Sequence, residues 1–189
     1  VTDSSLTVPK FTKFLSEAID GINYTFVTTD STTVNVTSNT AVFTDLSISQ
    51  GQPASISYTV DSVTNPKYVF EIPEGTVDTT SIVVLVQQSS TNTSVETYTS
   101  ASNYLSLTNE SKVYFLQESL KGTYEIYFGD DILGKKLSDG NVVNITYIKT
   151  DGTLSAGANN FSLMGSISGY ANTTLTSVTS ASTGGDIES

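Results

Sequence analysis

The chain has 189 residues and contains neither Cys nor His, which excludes disulfide frameworks, thiolate nucleophiles, Ser–His and Cys–His catalysis and His-ligated zinc. Eight Lys and Arg against nineteen Asp and Glu leave a net charge of −11. The one pair of adjacent cations is Lys135-Lys136, so neither nucleic acid nor an anionic membrane is an expected partner.

Ten Tyr and eight Phe recur along most of the length, which is not the composition of a disordered chain. Thr, Val, Ile, Tyr and Phe favour the pleated, half-buried surface of a strand. The expected class is therefore all-β with little helix, built from two antiparallel sandwich or barrel-like modules. No apolar run approaches the roughly 20 residues of a membrane-spanning helix.

From Leu6 to Val27 the pattern predicts a hairpin turning at Asp20-Gly21. Pro9 sits at a strand edge, and Ile22, Tyr24 and Phe26 alternate with polar residues after the turn. Val34 and Val36, then Val42 and Phe43, predict a second strand pair across Ser38-Asn39. Gln50-Gly51-Gln52-Pro53 reads as a turn, and Ile56, Tyr58 and Val60 beyond it predict a strand with one buried face.

The pattern breaks at Thr64-Asn65-Pro66. Strands are then predicted at 68–72 and 81–88. The continuous apolar block Ile82 to Val86 is expected in the middle of a sheet, buried on both faces, with an exposed interface strand as the alternative. Ser89 to Ser94 reads as a polar turn, and Val113, Phe115 and Leu116 as a strand. Lys121-Gly122 then turns the chain, and Tyr124, Ile126 and Phe128 return it with an inward face. Val142, Val143, Ile145, Tyr147 and Ile148 give a further strand, ended by Asp151-Gly152. After Gly157 polar residues dominate, yet Phe161, Leu163, Ile167, Tyr170 and Leu175 continue through them. This layout predicts a discontinuous outer domain of residues 5–62 plus 155–180, an inserted domain at 66–152, and in 181–189 the start of a following region.

Three stretches carry a resemblance. Tyr124 to Ile126, Phe128 to Asp131, Gly134-Lys135 and Gly140-Asn141 follow one another in the order of a known signature. It is that of baseplate wedge proteins of contractile-tailed phages: a Tyr-Glu-Ile/Val strand, Phe-Gly-Asp-Gly, Gly-Lys, then Gly-Asn before a Val/Ile strand. Asp131 stands where that pattern has Gly, and Asp tolerates positive φ better than most residues. Pro9, Thr12, Phe14, Asp20, Gly21, Tyr24 and Phe26 resemble the opening hairpin of the same family. Ser182 to Ser189 is similar to the Gly-Gly-x-Asp-x-Glu-Ser segment that opens the next, helical region of baseplate J-like proteins, one residue shorter between Gly185 and Glu188.

The three occur in family order and frame nearly the whole chain. The resemblance implies a central segment of a larger wedge protein, a structural component of the virion in the ring around the tail hub, assembled in the host cytoplasm. It implies other wedge proteins and further copies of the chain as partners, and no chemistry.

No catalytic residue, cofactor or small-molecule substrate is expected. Gly129-Asp130-Asp131 with Asp139 has the ligand chemistry of a Ca²⁺ loop, but the spacing departs from an EF-hand, and Asp and Gly are common turn residues. No metal is therefore expected. Glu118, Glu125, Asp130 and Asp131 are carboxylates of the kind that glycosidases pair. Trp, a common sugar platform, is absent, so they read as solvated turn groups. Asn-x-Ser/Thr triplets such as Asn35-Val36-Thr37 and Asn144-Ile145-Thr146 are a chance product of a Thr-rich chain.

The candidate interface is the loop carrying Phe128, Gly129, Asp130, Asp131, Gly134, Lys135 and Lys136, because strands are committed to the core and recognition falls to loops. Lys135-Lys136 either docks an acidic neighbour or is solvated. Gly129 and Gly134 either belong to the interface or simply allow a tight turn. The rival function is a surface adhesin or carbohydrate-binding β-sandwich, which shares the Thr-rich, Cys-free composition.

Overall fold

The computed structural model describes residues 3–171, 174–175 and 181–183. The described chain is built of strands, with two 3-10 turns at Tyr104–Ser106 and Gly152–Ser155. It divides into two compact units, Val1–Pro53 with Lys149–Ser189, and Ala54–Ile148.

In the first unit β1 (Ser5–Val8) pairs antiparallel with β4 (Thr32–Asn35). A four-stranded sheet contains β2 (Lys13–Ser16), β3 (Thr25–Thr28), β5 (Ile48–Gln50) and β13 (Phe161–Leu163), in the order β13-β2-β3-β5. Asp20 and Gly21 have φ of 51° and 85° between the bridged residues Ile19 and Ile22. Two successive positive φ values match the twist of a hairpin. Phe14, directly opposite Phe26, packs with Tyr24 and Ala158 in a small core. Phe161 closes this core from the tail, its ring 4.8 Å from that of Phe26 and edge-on. Leu6, Val8 and Ile167 form a second cluster.

The Pro9 carbonyl accepts from the hydroxyls of Thr12 and Thr28, both at 2.7 Å. Thr28 is almost fully buried, so this bond satisfies a polar group that burial otherwise penalises.

Two sequence expectations change here. Ser38 and Asn39 do turn, with φ of 51° and 62°, but Val42 and Phe43 form no strand, and β4 takes β1 as its partner. Residues 50–53 do not reverse the chain. Gly51, at φ 135°, separates β5 from β6 (Gln52–Thr59), and Pro53 lies inside β6. An outer strand tolerates it because Pro needs only one side free of donors.

The second unit holds β7 (Val69–Ile72), β8 (Val77–Gln87), β9 (Val95–Ser100), β10 (Val113–Glu118), β11 (Tyr124–Phe128) and β12 (Val142–Lys149). With β6 they form one sheet in the order β6-β12-β8-β9-β10-β11-β7. Ile72, Val84, Ile126, Val143 and Ile145 have no exposed surface. Each contributes about 1.5–3 kcal/mol by burial. The first and last strands meet: the Tyr58 hydroxyl on β6 donates to the Glu71 carbonyl on β7, and the Tyr58 and Phe70 rings lie 5.3 Å apart. The sheet thus curls toward a barrel, which covers edges that an open sheet leaves exposed.

Ile56, Tyr58 and Val60 face inward, as do Tyr124, Ile126 and Phe128, but the first trio packs in the core of the second unit. The observed boundaries are therefore 53/54 and 148/149, not 62/66 and 152/155. Asn65-Pro66 is a loop within the second unit, where the Asn65 side chain bonds to both the N–H and the carbonyl of Val69. The residues after Gly157, which read either as a returning strand or as a tether, contribute β13 to the first unit, paired with β2.

Strand β8 is central, but Val83 and Leu85 are only half-buried, so it has one core face and not two. Strand β9 was not predicted, because Tyr98 is its one buried side chain. Its ladder to β10 is parallel, an exception to the expected antiparallel pairing.

Candidate functional site

The loop after β11 is built from its first residue outward. Phe128 is a core anchor, 7% exposed, with its ring edge-on to Phe70 at 5.8 Å and to Tyr98 at 5.4 Å. Gly129 follows because the chain passes directly over Gly134. A Cβ on Gly129 would lie 2.1 Å from the Gly134 carbonyl carbon. Gly134 itself has φ +92°, in the left-handed region. Both glycines therefore serve a close backbone crossing.

Asp130 organises the tip. Its Oδ1 accepts the N–H groups of Ile132 and Leu133, both at 3.0 Å, an Asx-type turn. These bonds, from Leu133 first and Ile132 second, hold the Asp130 carboxyl below its ordinary value. Asp131 adopts φ 69°, in the left-handed region that Asp tolerates better than most residues. It donates its N–H to the Gly134 carbonyl at 3.1 Å and accepts from the Lys136 N–H at 3.0 Å. The Gly134 and Lys135 N–H groups donate to the carbonyls of Thr108 and Ser111 at 3.0 and 2.8 Å.

The two lysines have partners within the unit. Lys135 Nζ lies 3.2 Å from Glu96 Oε2, and Lys112 Nζ is 2.9 Å from Oε1 of the same carboxylate. Hydrogen bonds from Lys112, then Lys135, lower the Glu96 carboxyl pKa. Lys136 Nζ lies 5.6 Å from the centre of the Tyr68 ring, within cation–π range.

Two side chains that sequence reasoning left out project from the tip: Ile132 is 73% exposed and Leu133 46%. The signal was available, since both are apolar residues outside any predicted strand, framed by Asp-Asp and Gly-Lys.

The carboxylates do not gather around the loop. Asp139 is engaged by the Ser62 N–H and hydroxyl at 2.8 and 2.7 Å. Glu118 and Glu125 sit in the β10–β11 ladder opposite Tyr124 and Gln117. Among the described residues no group of three or more Asp, Glu, His or Cys is arranged to hold a metal. Of the third resembling stretch, Ser182 bonds to residues 155–158, while Gly184 to Ser189 lie outside the described residues. No protein-family model matches the chain, and no curated protein matches it either.

Proposed function

We infer that the chain is a non-enzymatic structural module of a contractile-phage tail baseplate wedge. Its partners are other wedge proteins and further copies of the chain, and the 128–136 loop is a contact surface. One observation supports this reading: several residues of the resemblance have demanding backbone or core roles. Gly129 and Gly134 cross at contact distance, Asp131 has φ 69°, Asp20-Gly21 makes a turn of two positive φ values, and the Pro9 carbonyl takes two hydroxyls. Residues held in sparsely populated backbone regions persist where the surrounding structure over-determines them, which is what a motif kept for its fold requires.

The reading is tested by immunogold electron microscopy, with antibody raised against the chain and tailed particles from the source culture. Label at the baseplate end of the tail is expected. Label absent from particles, together with saturable binding of the chain to a glycan array, would replace the scaffold by the adhesin.

A further inference from the structure

Tyr114 and Leu116 of β10 pack in the core of the second unit, so Val113 and Phe115 lie on the other face of the sheet, neighbours along the strand. Both are nevertheless buried, because two loops fold over that face. From the loop before β10, the Tyr104 ring stacks on Phe115 at 5.6 Å and 15°, and Phe115 stacks in turn on Tyr127 at 5.1 Å. From the loop after β11, Gly134 sits against Val113, where an added Cβ would lie 2.9 Å from Val113 Cγ2. The bonds from the Gly134 and Lys135 N–H groups to the Thr108 and Ser111 carbonyls tie the two loops together.

Each loop presents apolar side chains from a tip whose backbone is fixed without them. In the 128–136 loop the Asp130 carboxylate accepts the N–H groups of the exposed Ile132 and Leu133. The other loop uses the same device: Asn103 Oδ1 accepts the Leu105 N–H at 3.1 Å, and the Ser106 hydroxyl donates to the Asn103 carbonyl. Leu105 is fully exposed there and Tyr104 more than half, and the 3-10 turn that carries them buries none of its residues. Single apolar residues at a surface are ordinary, but four on two bonded loops over one sheet face make a patch. Its edge is acidic, since Glu110, Asp130 and Asp131 are exposed. The lysines of this region are held within the unit, Lys112 and Lys135 on Glu96 and Lys136 over Tyr68.

We propose that Tyr104, Leu105, Ile132 and Leu133 form one docking surface for a protein other than this chain, whose contact face is apolar with Lys or Arg at its edge. An apolar centre inside a polar rim is the usual anatomy of a protein interface. Carboxylates at the rim select the opposite charge across it. A second copy of this chain is the poorer occupant, because it brings the same acidic rim and a net charge of −11. Turns already set by Asn103 and Asp130 lower the ordering cost of association, so more of the apolar burial is left as affinity. The surface rests on the reading of residues 128–136 as a contact, and it adds to that loop a second one, before β10, that carries none of the resembling residues.

The test expresses the full 189-residue chain in the source culture with p-benzoylphenylalanine in place of Leu105, Ile132 or Leu120, irradiates the cells and maps the crosslinked peptides by mass spectrometry. Leu120 is the control, as exposed as Leu105 but in the turn at the opposite end of β10. Leu105 and Ile132 are expected to crosslink to one and the same polypeptide, at apolar segments next to Lys or Arg, and Leu120 is not. Leu105→Ser should lower the crosslink yield from Ile132 several-fold with melting unchanged, because its side chain is fully exposed. Glu110→Lys should lower the yields from both positions. A shared partner that is not a tail protein sustains the surface and removes the baseplate reading. Different partners at the two positions, crosslinks only to a second copy of the chain, no crosslink from either, or yields indifferent to Leu105→Ser or to Glu110→Lys overturn the proposal.

Discussion

Replacing Gly129 by Ala puts a methyl group where the Gly134 backbone already stands. Its Cβ would lie 2.1 Å from the Gly134 carbonyl carbon, 2.2 Å from the oxygen and 2.6 Å from Cα. Ordinary carbon contacts are about 3.5–4.0 Å. The obstacle is backbone held by the Thr108 carbonyl, so no rotamer change relieves it. Overpacking of this kind costs about 2–3 kcal/mol. For a cooperative unit the size of residues 54–148, with about 4–8 °C per kcal/mol, melting falls by about 10–20 °C.

Gly140→Ala is the control: its φ is +86° but nothing lies within 4 Å, so only left-handed strain of about 1–2 kcal/mol applies. Gly134→Ala combines strain with a 2.9 Å approach to Val113 Cγ2, a movable methyl group. Val113→Ala should partly rescue Gly134→Ala, and nothing comparable should rescue Gly129→Ala. Thermal melting by circular dichroism checks the ranking. A Gly129→Ala chain that melts within about 2 °C of the parent would falsify the backbone crossing.

Lys135→Glu sets a like charge beside Glu96, in a pair whose side chains are about two-fifths exposed. The expected loss is about 0.5–1 kcal/mol in urea denaturation at low salt, and it fades near 1 M NaCl; a loss independent of salt contradicts the ion pair. Burial, and secondarily Glu96, pushes the Tyr98 pKa up to about 12. A folded pKa above the unfolded value of about 10 stabilises below pH 10 and is lost as pH rises toward 12. Tyr98→Phe should therefore flatten the fall of melting temperature across that window, and an unchanged alkaline slope refutes the assignment.

The all-β class, the Asp20-Gly21 and Lys121-Gly122 turns and the inward trios were legible because each rests on local chemistry: positive φ or a two-residue period. The misses share a cause in partner choice. Nothing within Val34 or Val36 says that β4 pairs with β1 and not with the residues after Asn39. Pro53 argued for a turn because its lost donor matters only in the interior of a sheet, and β6 is an outer strand. Strand β9 has one buried side chain, so it left no period to read. In the candidate loop, the resembling pattern marked Asp131 as a position of Gly, and Asp is a residue that tolerates the positive φ found there. That Lys135 reaches Glu96, thirty-nine residues earlier, was not legible, because tertiary pairing of charges leaves no local signature.

If the loop meets a partner, its lysines are the wrong place to look for the energy. Lys135 already shares Glu96 with Lys112, and Lys136 lies over Tyr68, so recruiting either means breaking a contact within the unit. Charge reversal there also perturbs the folded chain, and an assembly defect would not separate turn from interface. Ile132 and Leu133 differ on both counts. They are 73% and 46% exposed, and the turn that presents them is held through the Asp130 carboxylate and their own N–H groups, not through their side chains. Ile132→Ser with Leu133→Ser should leave melting within about 2 °C, as surface changes do. Covering both side chains on assembly contributes a few kcal/mol at roughly 25 cal/mol per Å², enough for the double variant to reduce complete tails several-fold when particles are counted by electron microscopy. Full assembly by this variant, with melting unchanged, would leave the loop as a turn.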